Sequence, residues 1–488
     1  MAESLREKGI KGFLWALLER FSIQGVSFVV TLVLARLLSP ADYGTVALLS
    51  IFLAVAGVLV DSGFGNALIQ KKDATELDFN SVFYVSLTIS MALYTLLFFT
   101  APYIAAFYHS DILVPILRVS ATTLIFASIN SVQNAELSRK LLFKLSFKVS
   151  IVSTLASAVV GIMLALYGMG PWALVWSGFS SNLIGTIMRW FVIGWRPKFM
   201  FSFQSLHGLF SFGWKLSFTT LIDTLYNNLY GLLIGRMYSK EDLAFVNKGR
   251  HLPELLMLTI TSTLSRVAFP VMSQIQDDDL RIKSMMSKTL TTSCFVVFPV
   301  LAYVAVSAES ITIVLFGEKW LPIVPYIQLS CVMYAFSPFN VLNLQMLLSK
   351  GRSDIYLKLE IVKKIVGVLI VVIAIQYSPL CLIAAMSLIL YPICLVLNVL
   401  PTGKIVGYGL IAQLRDVMPF LLMTTVLVLS VQGVNVLFCW DTLLLTRLLA
   451  LLISGLFGFG LYVGLAMLSR QPPIMLLYET VRGLRKRG

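Results

Sequence analysis

The sequence predicts an all-α membrane protein of about fourteen transmembrane helices. Three observations lead there. The chain of 488 residues is 58% hydrophobic and only 13% charged, where a soluble domain carries about 25% charged residues. Its apolar runs are long and continuous, without the period-two alternation of membrane-barrel strands. No hydrophilic segment exceeds about 20 residues, which is too short for a soluble domain.

A helix that crosses hydrocarbon needs about 20 apolar residues. Such stretches fall at roughly 13–35, 43–69, 82–107, 112–131, 147–167, 172–193, 211–235, 252–275, 289–308, 326–349, 359–377, 380–400, 417–437 and 444–468. The first follows the charged stretch MAESLREKGIKG. It is too long for a cleavable signal and lacks a small-residue cleavage site, so it reads as the first span. Lys and Arg number about 24 in the N-terminus, the even-numbered loops and the C-terminus, against about 7 in the odd-numbered loops. That bias places both termini in the cytoplasm. The basic tail RGLRKRG suits an anionic leaflet surface. The positive charge is divided among short loops, so the net +14 implies no nucleic-acid partner. The five cysteines (Cys294, Cys331, Cys381, Cys394, Cys439) lie scattered, mostly within apolar runs, and read as small buried hydrophobes. His109, His207 and His251 fall near loops without ligand spacing, so neither metal nor cofactor is expected.

One polar word occurs twice. Residues 34–44 read LARLLSPADYG and residues 234–244 read IGRMYSKEDLA. Arg36 answers to Arg236, Ser39 to Ser239 and Asp42 to Asp242, each 200 residues on. In the first copy Ser39 is a natural N-cap, Pro40 suits the first helical position and Asp42 lies near the positive end of the helix dipole. Locally the word is therefore a capped turn. Its repetition implies two copies of a six-helix unit. Six spans is an even number, so the copies share one orientation, related about an axis along the membrane normal. The expected lobes are residues 1–200 (helices 1–6) and 201–405 (helices 7–12), with residues 406–488 adding helices 13 and 14 and the basic tail. Two like lobes around a central cavity suit a transporter that works by alternating access.

ARLLSPADYG after an N-terminal apolar helix resembles the opening of the polysaccharide-transport family. That family belongs to the multidrug/oligosaccharidyl-lipid/polysaccharide flippase superfamily. DSGFGNALIQKKD at 61–73 and SRVAFPVMSQIQDDD at 265–279 resemble further words of it. The likeness runs over nearly the whole chain and leads to Wzx-type exporters of the colanic acid kind. It implies an inner-membrane flippase that turns an undecaprenyl-pyrophosphate-linked oligosaccharide from the cytoplasmic to the periplasmic leaflet for exopolysaccharide or lipopolysaccharide biosynthesis. It also implies two six-helix lobes in a V shape, and partners among membrane lipids and the polymerase and export machinery. In related lipid II flippases the two extra helices form a groove for the lipid tail, the role it implies for helices 13 and 14.

The intramembrane charges fit an anionic, amphiphilic cargo. Cations within the spans include Arg20, Arg118, Arg189, Lys215, Arg266, Lys363 and Lys364. A cation at a helix centre costs about 2.5–3.5 kcal/mol even on the lenient scale, so each snorkels, pairs or faces a wet cavity. Arg189, Lys215 and Lys364 lie near span ends and are expected to snorkel. Arg266 is the deepest, about 13 Å along helix 8 from its inner end. Arg20, Arg118, Arg266 and Lys363 are the candidates for a cationic cavity; the alternative is an ion pair between helices. Glu19, Asp61, Asp223 and Glu360 supply acids for such pairs, with Arg20–Asp61 and Arg266–Asp223 close in depth. Asp61 and Asp223 are equally candidates for coupling a cation. Gln24, Asn227 and Asn228 are candidates for sugar contact or, as readily, interhelical glue.

Other function classes fit less well. A multidrug or cation exporter of the same superfamily would favour an acidic cavity, whereas bases outnumber acids here. A membrane polymerase or ligase would need a substantial external loop with catalytic groups. The longest outer loops, Arg236–His251 and Glu309–Pro325, are short and hold no nucleophile–base constellation. A channel or scaffold is disfavoured only modestly by the two-lobe repeat.

Overall fold

The computed structural model describes residues 5–61, 63–140, 142–437 and 444–475; Cys439, the first four residues and the tail RGLRKRG lie outside them. Every regular element among the described residues is a helix. We number the long ones α1 (Leu5–Leu37), α2 (Pro40–Asp61), α3 (Glu76–Phe107), α4 (Leu113–Arg139), α5 (Phe143–Leu166), α6 (Pro171–Val192) and α7 (Phe203–Met237). The series continues with α8 (Lys240–Gln274), α9 (Asp279–Val306), α10 (Glu318–Ser349), α11 (Ser353–Ala374), α12 (Pro379–Val406), α13 (Leu410–Leu437) and α14 (Leu444–Leu468). Eleven of them are long and apolar enough to cross a membrane. The more polar α6, α7 and α11, each of at least 22 residues, stand at the three other expected positions. The set is compatible with the fourteen spans expected.

Two boundaries differ from expectation, each for a local reason. The apolar run 43–69 is not one helix. Gly63 takes a left-handed φ of +67° and separates α2 from a short helix, Phe64–Gln70. A side chain there would be strained, and a Cβ would lie 2.5 Å from the carbonyl oxygen of Gly213 on α7. Arg139 then caps the far end of the short helix, donating to the carbonyls of Leu68 (2.6 Å), Lys71 and Lys72 (3.0 Å), which the helix leaves without partners. The DSGFGNALIQKKD word is thus a folded corner. Residues 275–281 make a related corner between α8 and α9. There Asp278 caps α9 by accepting from the Arg281 amide (3.0 Å), and Lys350, just past α10, reaches the Gln276 carbonyl and Asp279.

The second difference is at the expected outer loops. Most of 236–251 is helix, because α8 starts at Lys240. Asp42 accepts from the backbone amide (2.8 Å) and hydroxyl (2.6 Å) of Ser39, and Asp242 does the same with Ser239 (3.2 and 2.7 Å). Each serine oxygen in turn accepts from the aspartate amide, at 3.2 and 3.0 Å. This is a capping box in which Asp replaces the usual Glu. The 309–325 segment likewise holds a helix, Ala308–Leu315, and a 3-10 turn, Glu318–Ile323.

The chain forms two compact units, Met1–Ala244 and Phe245–Gly488. In the first, α5 packs on α1 and α6 through small residues: Gly161 meets Ser177, whose hydroxyl is 2.8 Å from that of Ser157. Phe79, Val82, Phe83, Val132, Leu206 and Leu209 join α3, α4 and α7 around the Phe64–Gln70 helix. In the second, α13 packs on α9 and α14 on α13. The amides of Asn343 and Gln413 bond each other reciprocally at 3.1 and 3.0 Å in its core. Cys294 and Cys331 are buried there as free thiols, and Cys381 and Cys394 are half-buried and free.

Prolines inside α3 and α9 explain two further contacts. Pro102 has no N–H for the carbonyl of Phe98, and Pro299 none for that of Phe295. In hydrocarbon no water can substitute. Arg118 Nε donates to the Phe98 carbonyl (3.3 Å) while its guanidinium lies 4.0 Å from the centre of the Phe98 ring. The Tyr462 hydroxyl donates to the Phe295 carbonyl (2.9 Å). A hydrogen bond from a charged group contributes about 1.5–3 kcal/mol, so Arg118→Leu should lower the melting temperature of the purified protein. Adding Pro102→Ala returns an N–H to the Phe98 carbonyl and should recover most of the loss. A double variant that melts as low as the single one would show that Arg118 serves something other than this carbonyl.

Candidate functional site

The first unit encloses a polar cavity of about 500 Å³ among α2, the Phe64–Gln70 helix, α4, α5 and α6. Its polar wall includes Asp61 from α2, Asn130 and Asn134 from α4, Ser153 from α5, and Asn182 and Arg189 from α6. Helical spacing explains the convergence: Asn130 and Asn134 are four residues apart, and Asn182 and Arg189 seven, so each pair shares a face. Arg189 Nε donates to Asn134 Oδ1 at 3.2 Å. Glu19 on α1, within electrostatic reach of Arg189, accepts from the hydroxyls of Ser146 (2.9 Å) and Ser150 (2.7 Å). Asn182 Nδ2 donates to its own helix at Gly178 (2.9 Å), and the Ser153 hydroxyl to Val149 (2.8 Å). Asn130 is only 6% exposed, yet its Oδ1 has no hydrogen-bond partner.

The second unit has an apolar groove of about 710 Å³ lined by α9, α10, α12 and α13, with Leu301, Val332, Leu380, Leu421 and Val428 in its wall. A second groove, of about 630 Å³, runs between α8 and α9 and carries the exposed Lys288 beside Thr259 and Thr292.

The candidate residues are dispersed over these units. Asp61 lies in the polar cavity, and Arg189, expected to snorkel, lies there with it. Arg20 and Gln24 are exposed on α1. No ion pair joins Arg20 to Asp61 among the described residues. Arg118 is held on Phe98, as described above. Lys363 pairs with Glu360 one turn earlier on α11 and is 12% exposed. Asn227 is exposed on α7, and Asn228 bonds the Thr224 carbonyl of the same helix (2.8 Å). Asp223 is half-buried in the first unit, and Arg266 is exposed on α8 in the second. The amides Asn130, Asn134 and Asn182 were not singled out in the sequence. The available signal was the i, i+4 spacing of the first two.

Comparison with known proteins decides the family. Residues 33–325, well over half the chain, match the family described as polysaccharide biosynthesis protein.

The chain belongs to the polysaccharide biosynthesis protein family.

Curated relatives agree with the assignment. The lipopolysaccharide biosynthesis protein WzxC of Escherichia coli (strain K12) is 24% identical over 366 residues, 74% of each chain. The teichuronic acid biosynthesis protein TuaB of Bacillus subtilis (strain 168) is 28% identical over 358 residues, 72% of this chain and 73% of its own. Among solved structures, the lipid II flippase MurJ in its inward closed conformation superposes with a TM-score of 0.72 at 15% identity, covering 94% of this chain and 99% of its own. That likeness places this member of the polysaccharide biosynthesis family in the fold MurJ adopts. The words quoted at 34–44, 61–73 and 265–279 all fall inside the matched segment.

Proposed function

We propose that this chain is a flippase that carries a lipid-linked oligosaccharide across the membrane for polysaccharide biosynthesis. It is a multi-pass membrane protein and a transporter rather than an enzyme. The observation that carries the reading is the match to the polysaccharide biosynthesis family over 33–325. The MurJ-like fold supports it, as does the apolar groove of about 710 Å³ in the second unit, whose wall suits a hydrocarbon tail. The cargo is an undecaprenyl-pyrophosphate-linked repeat unit, moved from the cytoplasmic to the periplasmic leaflet of the bacterial inner membrane, with both termini cytoplasmic as the Lys and Arg bias directs. The lobes are helices 1–6 and 7–12. The capped turns at Ser39 and Ser239, and the basic residues Arg139 and Lys350 that close equivalent corners, support that repeat. Arg266, exposed within α8, is the cation proposed to meet the pyrophosphate. Asp223, half-buried on α7, is the acid proposed for a coupling cation. A polymerase and an export apparatus would receive the product.

The test is made in the host strain. Without this chain the lipid-linked repeat unit should accumulate in the inner leaflet and polymer should disappear. Wild type should restore polymer; Arg266→Lys should restore part of it, and Arg266→Ala little, at equal membrane abundance. Normal polymer in the strain that lacks the chain would overturn the proposal.

A further inference from the structure

We propose that the polar cavity of the first unit is a sugar subsite, taking one or two rings of the lipid-linked oligosaccharide. The inference rests on the flippase reading and adds the place where the carbohydrate is read.

The lining distinguishes the class of ligand. The Ser153 hydroxyl, whose proton goes to its own helix, presents only an acceptor, and Asn182 presents its Oδ1 together with the one amide N–H not bonded to Gly178. Asp61 adds a carboxylate and Asn130 an unpartnered carbonyl oxygen. Donors come from the remaining N–H groups of Arg189 and the amide nitrogen of Asn134, whose oxygen is already engaged. A cation would use only the acceptors and would be repelled by Arg189. A phosphate would use only the donors and would be repelled by Asp61. A ring of hydroxyl groups uses both, since each hydroxyl donates once and accepts twice.

Size decides in the same direction. An ion cage needs little more than the space of one water, about 30 Å³. The cavity measures about 500 Å³, within the roughly 300–1,000 Å³ of small-molecule sites. Leaving a buried carbonyl oxygen unpaired costs about 1–3 kcal/mol, so the 6% exposed Asn130 is a group whose partner arrives with the ligand. Asp61, Ile69 and Asn134 are exposed at the rim, which leaves the cavity open to entry.

The test uses the purified full chain in lipid nanodiscs and two probes. One is the lipid-linked repeat unit extracted from a host strain that lacks this chain; the other is undecaprenyl pyrophosphate, which has no sugar. Asn130→Leu keeps the volume and removes the polar atoms. It should weaken binding of the repeat unit at least tenfold and leave binding of undecaprenyl pyrophosphate unchanged. If Asn130→Leu fails to accumulate, Asn182→Ala is read instead, because that side chain bonds only its own helix; the same selective loss is expected, at least threefold. Equal weakening of both probes, or of neither, overturns the sugar subsite. If the wild type binds neither probe, the flippase reading itself fails and the subsite falls with it.

Discussion

Gly44→Val is expected to abolish polymer export, and Gly44→Ala to reduce it at least tenfold. Gly44 lies in the first turns of α2, where a Cβ would stand 1.9 Å from the carbonyl oxygen and 2.4 Å from the carbonyl carbon of Lys240. The obstacle is backbone, and it cannot retreat by changing a rotamer. Lys240 opens α8 directly after its capping serine, and α2 is held by the same kind of cap. The two copies of the repeated word therefore meet backbone to backbone. Around that contact Gly235 packs against Leu48 and Tyr108, and the Arg236 guanidinium lies 5.3 Å from the Phe107 ring centre. Forcing a methyl group into a packed contact costs about 1–3 kcal/mol, and a branched side chain more. A side chain at Gly44 forces the starts of α2 and α8 apart, and the export proposed for this chain should suffer with them. Export should fall while membrane abundance, followed by immunoblot, changes little. Abundance that falls in step with export would assign the contact to folding, and normal export by Gly44→Val would refute its importance altogether.

The largest effect on stability is expected from Asp78→Ala. The Asp78 side chain is 0% exposed, and Lys71 Nζ bonds both of its oxygens, at 2.7 and 2.8 Å. The Thr75 amide donates at 2.8 Å, and the hydroxyl of Ser205, at the start of α7, adds another bond. Beside it the Lys198 amide donates to Asn80 and the Ser202 amide to Ser81 (3.0 Å), which fastens the segment between α6 and α7 to the start of α3. Removing the carboxylate leaves the Thr75 amide and the Ser205 hydroxyl without their acceptor, about 1–3 kcal/mol for each buried group, while the half-exposed Lys71 ammonium regains water. Membrane abundance should drop more than tenfold. Asp78→Asn, which still accepts from the backbone, should lie between the two. Lys71→Ala should be milder, because Lys71 is 41% exposed and water can replace part of the pair. Wild-type abundance of Asp78→Ala would contradict this account.

What could be read in the sequence follows from how local each interaction is. The capped turns at Ser39 and Ser239 were legible because the capping box spans only three residues, and the repeat made the second copy as clear as the first. The helices were legible from length and apolarity, except where one residue's backbone intervened: Gly63 ends α2 early because its φ is positive and α7 comes close, neither of which hydropathy records. The polar cavity was the least legible part. Asn130, Asn182 and Ser153 each look like interhelical glue on their own helices, and Arg189 looks like a snorkelling cation. Their common purpose depends on helices 20 to 130 residues apart meeting around one space. Arg118 shows the reverse case. Pro102 advertised an unpaired carbonyl at Phe98, but only the packing of α3 on α4 shows that a cation expected to face cargo supplies the donor.

The central claim is that this chain alone moves a lipid-linked oligosaccharide between leaflets, and reconstitution tests it most directly. Purified full chain would be placed in vesicles carrying the extracted lipid-linked repeat unit in both leaflets, and the sugars exposed to a membrane-impermeant oxidant. Protein-free vesicles should protect the inner-leaflet share. Vesicles with the chain should lose that protection, so that nearly all of the repeat unit is oxidised while an encapsulated soluble sugar stays intact. An inner-leaflet share that remains protected in the presence of the folded protein would contradict the account.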